Sequence, residues 1–278
     1  MPTAIFTDCG GGINKAIRTL NIIKWVNAVL FAVMLTVNML ANLIPLNGKT
    51  TGEVSEIYPN LFTPAPITFA IWAVIYLFMG AFVIWQWAGK TSEEYVKNIG
   101  IWFALSCVFN TAWVFAWHYD AILLSMIFIA GLLLTLIMIN IRLRVPDDVF
   151  VARIIAKDGF EIYFGWIIVA TIANMSVLLT KYEWNRFGLS EQFWTVTVLL
   201  IGTAISVLTV TKGHHWLAGL AVVWAYAGIL IRHLSPEYYD MKYPFVVAAA
   251  IIGIILIVSS TIIETYTEKE KFRLARSF

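Results

Sequence analysis

Apolar residues fall in eight long runs, near residues 23–45, 66–87, 99–117, 121–141, 161–180, 193–211, 214–232 and 244–263, separated by polar breaks. A helix rises 1.5 Å per residue, so a run of about 18–25 residues covers the roughly 30 Å of hydrocarbon in a bilayer. None of the runs alternates every second residue as a barrel strand would. The pattern predicts an all-α polytopic bundle of about eight transmembrane helices. The seventh run is the least regular: it opens on His214 and His215, ends on Arg232, and follows the sixth after Thr211, Lys212 and Gly213. A re-entrant sixth–seventh pair therefore stands beside a full crossing, which the spacing of Ala, Gly and Trp in the seventh favours.

The breaks carry their own signals. Between Tyr58 and Gly80 the chain reads YPNLFTPAPITFAIWAVIYLFMG. Pro59, Pro64 and Pro66 each fix φ and withhold a donor, so the segment stays extended and stiff until about Pro66 and then runs straight into the second span. A stiff loop over a helix mouth reads as a lid; prolines that merely end one helix and start the next are the plainer alternative. The longest breaks are Leu46–Ala65 and Arg142–Phe160. In the second of these, Pro146 and Asp147 suit a helix start, and Val149, Arg153 and Ile154 are spaced like a short surface helix, although a solvated connector fits better. No linker separates a second globular unit. No internal repeat is visible either, and the paired tryptophans Trp85/Trp87 and Trp113/Trp117 sit in unlike surroundings, which weakens a transporter reading.

Composition and charge sharpen this picture. With 60% hydrophobic and 13% charged residues and a mean hydropathy of +0.80, the chain carries more apolar surface than a soluble core of 278 residues hides, so it reads as an integral membrane protein. The first run is too long for a cleaved leader and lacks a small-residue cleavage site, so it is read as a retained anchor. Fourteen of the nineteen basic residues fall on the side of the two termini, leaving Lys49, Lys181, Arg186, Arg232 and Lys242 on the other. The positive-inside rule then puts both termini in the cytoplasm and the proline loop outside. The net charge of +2 reflects that topology, and without a basic stripe it argues against nucleic acid as a partner. Cys9 and Cys107 lie in unlike settings and read as free thiols.

Polar side chains inside a membrane mark function, because hydrocarbon penalises them. Here they are Asn38, Gln86, Asn110, Thr171 and Asn174, while Asp120, Glu161 and Glu264 sit at span ends. With no carboxylate or lysine at mid-span, a proton-coupled pump and a retinal Schiff base are disfavoured. What the spans offer is aromatic: Trp72, Tyr76, Trp102, Trp113, Trp117, Tyr163 and Trp166. Trp72 and Tyr76 share a helix face, as do Asn110, Trp113 and Trp117. Such faces stack on a flat hydrophobic ligand while an amide orients its polar edge. An interfacial belt is the other reading of a membrane tryptophan; it fits Trp85, Trp87, Trp184 and Trp194 at span ends, and both readings stand for Trp113 and Trp166. His118, His214, His215 and His233 are scattered, and His214–His215 lacks a matching set of metal ligands. No nucleophile, acid–base pair or phosphate loop stands out, so catalysis ranks last.

Three segments resemble the tryptophan-rich sensory protein family, TspO/MBR, also called the translocator protein or peripheral benzodiazepine receptor family. Phe62-Thr63-Pro64, Pro66, Phe69, Trp72, Tyr76 and Met79-Gly80 follow its loop-then-helix pattern. Asn110, Trp113 and Trp117 match on the third span, and Tyr163, Trp166, Ala170 and Asn174 on the fifth. The likeness covers about residues 22–182. The chain differs where the family carries a loop tryptophan (Phe62), an adjacent proline (Ala65) and a fifth-span proline (Ile162). A Leu179-x-x-Tyr182-x-x-x-Arg186 pattern of the cholesterol type, or else an interfacial anchor, ends the fifth span.

The resemblance implies a five-helix bundle over residues 1–186, followed over residues 187–278 by three further spans and a basic tail, with the first part able to fold alone. It implies a sensor or carrier in a bacterial plasma membrane for a flat hydrophobic molecule, a porphyrin or haem-like tetrapyrrole or a sterol-like lipid, with no cofactor required. The implied binding residues are Phe62, Pro64, Pro66, Phe69, Trp72, Tyr76, Asn110, Trp113, Trp117, Tyr163, Trp166, Ala170 and Asn174, under a lid stiffened by Pro59. Membrane lipid and the hydrophobic ligand are the expected partners, and a homodimer stays open. A transporter whose last three spans form the substrate path, and a scaffold whose added helices bind another membrane subunit, are the competing readings.

Overall fold

Eight helices among the described residues are long and apolar enough to cross a membrane: Lys15–Leu43, Pro66–Trp85, Lys90–His118, Ile122–Arg142, Phe150–Lys181, Glu191–Gly213, Trp216–Leu234 and Pro244–Thr267. This computed structural model describes the backbone of residues 9–143 and 150–275 and the side chains of residues 15–143, 150–267 and 270. Pro146, Asp147, Val149 and the side chain of Cys9 lie outside the described parts. All eight predicted runs are helices, numbered below as the first to eighth spans. The seventh is a separate helix of 19 residues, about 28 Å long. His214 ends the sixth span in the left-handed conformation (φ 58°), and the chain reverses there. Arg153 and Ile154 belong to a wide π-type turn, Arg153–Asp158, that leads into the fifth span; the surface helix read around them is an extension of that span.

The first connection is more structured than its prolines alone suggest. Thr50 and Glu53 form a reciprocal capping box at the start of a short helix, Thr51–Glu56, which satisfies donors that a helix start otherwise leaves open. Beyond it, the Asn60 side chain accepts from the backbone N–H groups of Phe62 (3.1 Å) and Thr63 (3.0 Å), a local turn typical of Asn. Pro66 opens a 3₁₀ turn, Pro66–Ala70, that runs into the second span.

Helices in lipid are held by close packing and interhelical hydrogen bonds, and both are visible. Asn38 donates to Asn110 (2.8 Å), and Asn110 donates to the Tyr163 hydroxyl (2.9 Å), tying the first, third and fifth spans. Trp113 Nε1 donates to Asn174 (2.9 Å), which also receives from Ser125, tying the third, fourth and fifth. At the end opposite the proline loop, Gln86 bonds Asn27 and the Lys24 carbonyl, and Lys24 pairs with Glu93 at 3.0 Å. The seventh span docks on the fifth, and the eighth covers the sixth and seventh. Ala218, Ala221, Ala225 and Gly228 form a buried small-residue stripe on the seventh span. A Cβ on Gly165 of the fifth span would lie 2.2 Å from the Ala218 carbonyl oxygen, so the two backbones touch there.

Candidate functional site

The proline loop lies against the last three spans. Its backbone is bonded residue by residue: Leu61 N–H donates to Glu191 (2.9 Å) and His233 Nε2 contacts the Leu61 carbonyl (2.9 Å). Ala65 N–H donates to the Gly228 carbonyl (3.0 Å), and the Trp224 indole to the Thr68 carbonyl (2.8 Å). Tyr239, beyond the seventh span, donates to the Asn60 carbonyl (3.2 Å); its burial raises its hydroxyl above the ordinary tyrosine value, against the pull of Arg232. Arg232, 4% exposed, forks onto both Glu56 oxygens of the short helix. Gly228 is required where the loop seats, since a Cβ there would stand 1.9 Å from the Thr68 hydroxyl. On the other flank, Tyr58 donates to Asp120 (3.0 Å), which Lys181 pairs at 2.8 Å. Partial burial and the Asp120 carboxylate raise the Tyr58 hydroxyl above its ordinary value.

Under this roof the predicted aromatic residues come together, except Trp102, which lies apart beneath the Arg142 guanidinium (5.3 Å). Trp72 stacks on Tyr76 (5.4 Å between centroids) and on Trp113 (5.8 Å), and Trp113 stacks on Trp117. Tyr163 and Trp166 meet Trp72 edge-on, and Phe69 meets Trp166 the same way. Trp113 and Trp166 are buried, which decides their open alternative: neither is a belt residue. Trp87, 44% exposed and edge-on to Trp25, fits the belt, whereas Trp184 and Trp194 pack on each other and Trp194 bonds the Arg186 carbonyl.

A cavity of about 30 Å³ remains inside the cluster, bordered by Pro64, Phe69, Trp72, Trp113, Trp117, Trp166, Ala170 and Asn174. Thr63 and Ser55 also line it; a Thr50-x-x-Glu53 capping signature, which marks the helix holding Ser55, was the available clue to the latter. Tyr76, Tyr163 and Asn110 stand behind this lining, Pro66 is exposed at the loop's edge, and Phe62 faces a different cavity. Two donors on the lining, the Thr63 hydroxyl and the Trp166 indole N–H, are buried without a hydrogen-bond partner among the described residues. Buried donors of this kind normally find one. The amides are otherwise engaged: Asn110 and Asn174 bond protein groups on neighbouring spans.

The model of the family described as TSPO-like protein matches residues 24–263. It thus runs through all eight spans, beyond the segment that carries the recognisable motifs. Neither the curated proteins nor the solved structures give a match.

Proposed function

Because the chain belongs to the TSPO-like protein family and is an integral membrane protein with eight helices able to cross the bilayer among its described residues, we propose that it binds a flat hydrophobic ligand beneath the proline loop, as a sensor or carrier. The observation that carries this reading is the pair of unpartnered donors, Thr63 and Trp166, on the wall of an aromatic cavity. They call for a ligand whose aromatic or alicyclic body stacks on Trp72 and Trp113 and whose edge presents a hydrogen-bond acceptor. A porphyrin with its carboxylates and a sterol-like lipid with its hydroxyl both meet that description. At about 30 Å³ the cavity has room for about one water, so such a ligand enters only when the loop lifts and the rings part.

Porphyrin titration of the purified protein, read by tryptophan fluorescence, tests this. Saturable quenching is expected. Trp166→Phe keeps an aromatic ring, though a smaller one, and removes the donor, so it should weaken binding by about 1 kcal/mol or more. Trp113→Leu should weaken it by about 0.5–1.5 kcal/mol through lost stacking. Trp87→Leu, at the exposed belt, should change little. Absence of saturable quenching by porphyrins and sterol analogues, or equal losses at Trp87 and Trp166, would sink the assignment.

A further inference from the structure

The fifth span carries a second cavity on its other flank, about 340 Å³ in volume and so within the range of about 300–1,000 Å³ typical of small-molecule sites. It exists because the sixth span packs on the eighth and seventh and scarcely touches the fifth. Met126, Ile172, Met175, Leu179 and Val198 form its apolar walls, with Phe62 of the proline loop at the top. Thr171, Ser176 and Thr180 also border it, each hydroxyl donating to the carbonyl four residues back; with Asn60 and Thr195 they are polar spots in walls that are mostly apolar. From Thr171 to Thr180 the slot follows the helix for about 14 Å. Met175 in its wall is 39% exposed, so the slot opens sideways at the depth of the hydrocarbon.

Its upper end is different. There Arg186 and Glu191 border it beside the Trp184–Trp194 pair. Trp194 bonds the Arg186 carbonyl at 2.9 Å, which holds that residue at the mouth. The guanidinium forms a long ion pair with one Glu191 oxygen at 3.7 Å, beyond hydrogen-bond length, with both side chains about a third exposed; the other Glu191 oxygen accepts from the Leu61 N–H. That single long contact leaves the rest of the guanidinium fork open at the mouth, where an anionic headgroup competes with the Glu191 carboxylate for it; the fork suits carboxylate and phosphate. The 23-residue helix Glu191–Gly213 begins at the same place, and the positive end of its dipole adds to the preference for an anion. Tyr182, the middle residue of the cholesterol-type pattern, is 63% exposed and borders no part of the slot.

We propose that this slot is a lipid site, distinct from the aromatic cavity: it takes the hydrocarbon chain of an amphiphile whose anionic headgroup, a carboxylate or a phosphate, is bound by Arg186. The chain lies along the fifth span, parallel to the bilayer's own chains, and the headgroup sits at the membrane surface. The ligand enters from the bilayer without any movement of the proline loop.

The test uses the full chain in phosphatidylcholine nanodiscs, with stearate brominated close to its carboxylate as a contact quencher of Trp184 and Trp194, which border the headgroup end of the slot. Saturable quenching is expected, with displacement by unlabelled stearate (the carboxylate arm) or lysophosphatidate (the phosphate arm), and none by stearyl alcohol or cholesterol. Arg186→Gln should weaken stearate binding by about tenfold or more, the scale of a lost charge-assisted hydrogen bond. Ser176→Phe and Val198→Phe, which fill the slot from opposite walls, should abolish the quenching; having both guards against one failing to fold. Quenching unchanged in whichever filled variant folds overturns the site. Displacement by the alcohol or the sterol as readily as by stearate, or an affinity untouched by Arg186→Gln, overturns the anionic class.

Discussion

Asn110 shows how one side chain divides between fold and ligand. Its two buried bonds run to Asn38 and to Tyr163, so its removal strands groups that hydrocarbon cannot solvate. Asn110→Leu is expected to cost about 1–3 kcal/mol of stability, the penalty for unpaired buried partners, read as a lower melting midpoint in detergent. Adding Tyr163→Phe removes one stranded hydroxyl, and the double variant should recover part of the loss. A melting midpoint unchanged by Asn110→Leu would show that the bond carries no load, and would return Asn110 to the role of ligand orienter. Trp166 divides differently: its buried ring packs on Trp72 and Phe69, so removing it costs the fold, while its N–H lacks a partner among the described residues and is the part that reports on the ligand.

At the level of helices, the contact between the fifth and seventh spans depends on Gly165. Because the atoms opposite belong to the Ala218 backbone, no rotamer change relieves a new methyl, and Gly165→Ala must push the helices apart. Overpacking of this kind costs about 1–3 kcal/mol; a lower melting midpoint for Gly165→Ala than for Gly80→Ala checks it, since a Cβ on Gly80 meets Phe31 at an ordinary 3.5 Å. Equal midpoints would mean that the close approach is not maintained. The spans themselves were legible, because each apolar run is uninterrupted and long enough to cross. So was the gathering of Trp72, Trp113 and Trp166, through helical spacing and the family pattern. The short helix Thr51–Glu56 announced itself only through Thr50 and Glu53, a signal that the nearby prolines obscured. The slot beside the fifth span was not legible, because it depends on where the sixth span leans, and that is settled by contacts with the eighth. Hydroxyls such as Ser176 and Thr180 give no warning of it, since each satisfies itself within its own helix.

Across the whole molecule, eight crossings put the two ends of the bundle on the same side and the proline loop on the other. The bias of basic residues toward the terminal side predicts that side to be the cytoplasm. Thr51 is buried, so the exposed Lys49 and Lys90 are the better positions for single cysteines. In a background without Cys9 and Cys107 they should label from opposite faces, Lys49→Cys from outside; labelling of both from one face would refute the crossing pattern. The last three spans pose the remaining question. A chain ending at Arg186 keeps the Asn38–Asn110–Tyr163 and Trp113–Asn174–Ser125 ties, all of which lie within its first five spans. It loses every partner that Glu191, Trp224, Gly228, Arg232, His233 and Tyr239 supply to the loop. The truncated protein is therefore expected to remain a helical, monodisperse bundle in detergent whose residues 57–65 are cut by protease at least about tenfold faster than in the full chain, as befits a segment released to local opening. Glu56→Gln in the full chain should reproduce a milder form of the same exposure, since it leaves Arg232 buried without its charge partner, at a cost on the order of 2 kcal/mol because Glu56 is 35% exposed and so partly screened. Aggregation of the truncated chain would show that the last three spans are part of the core, and equal cleavage rates would show that they do not hold the loop.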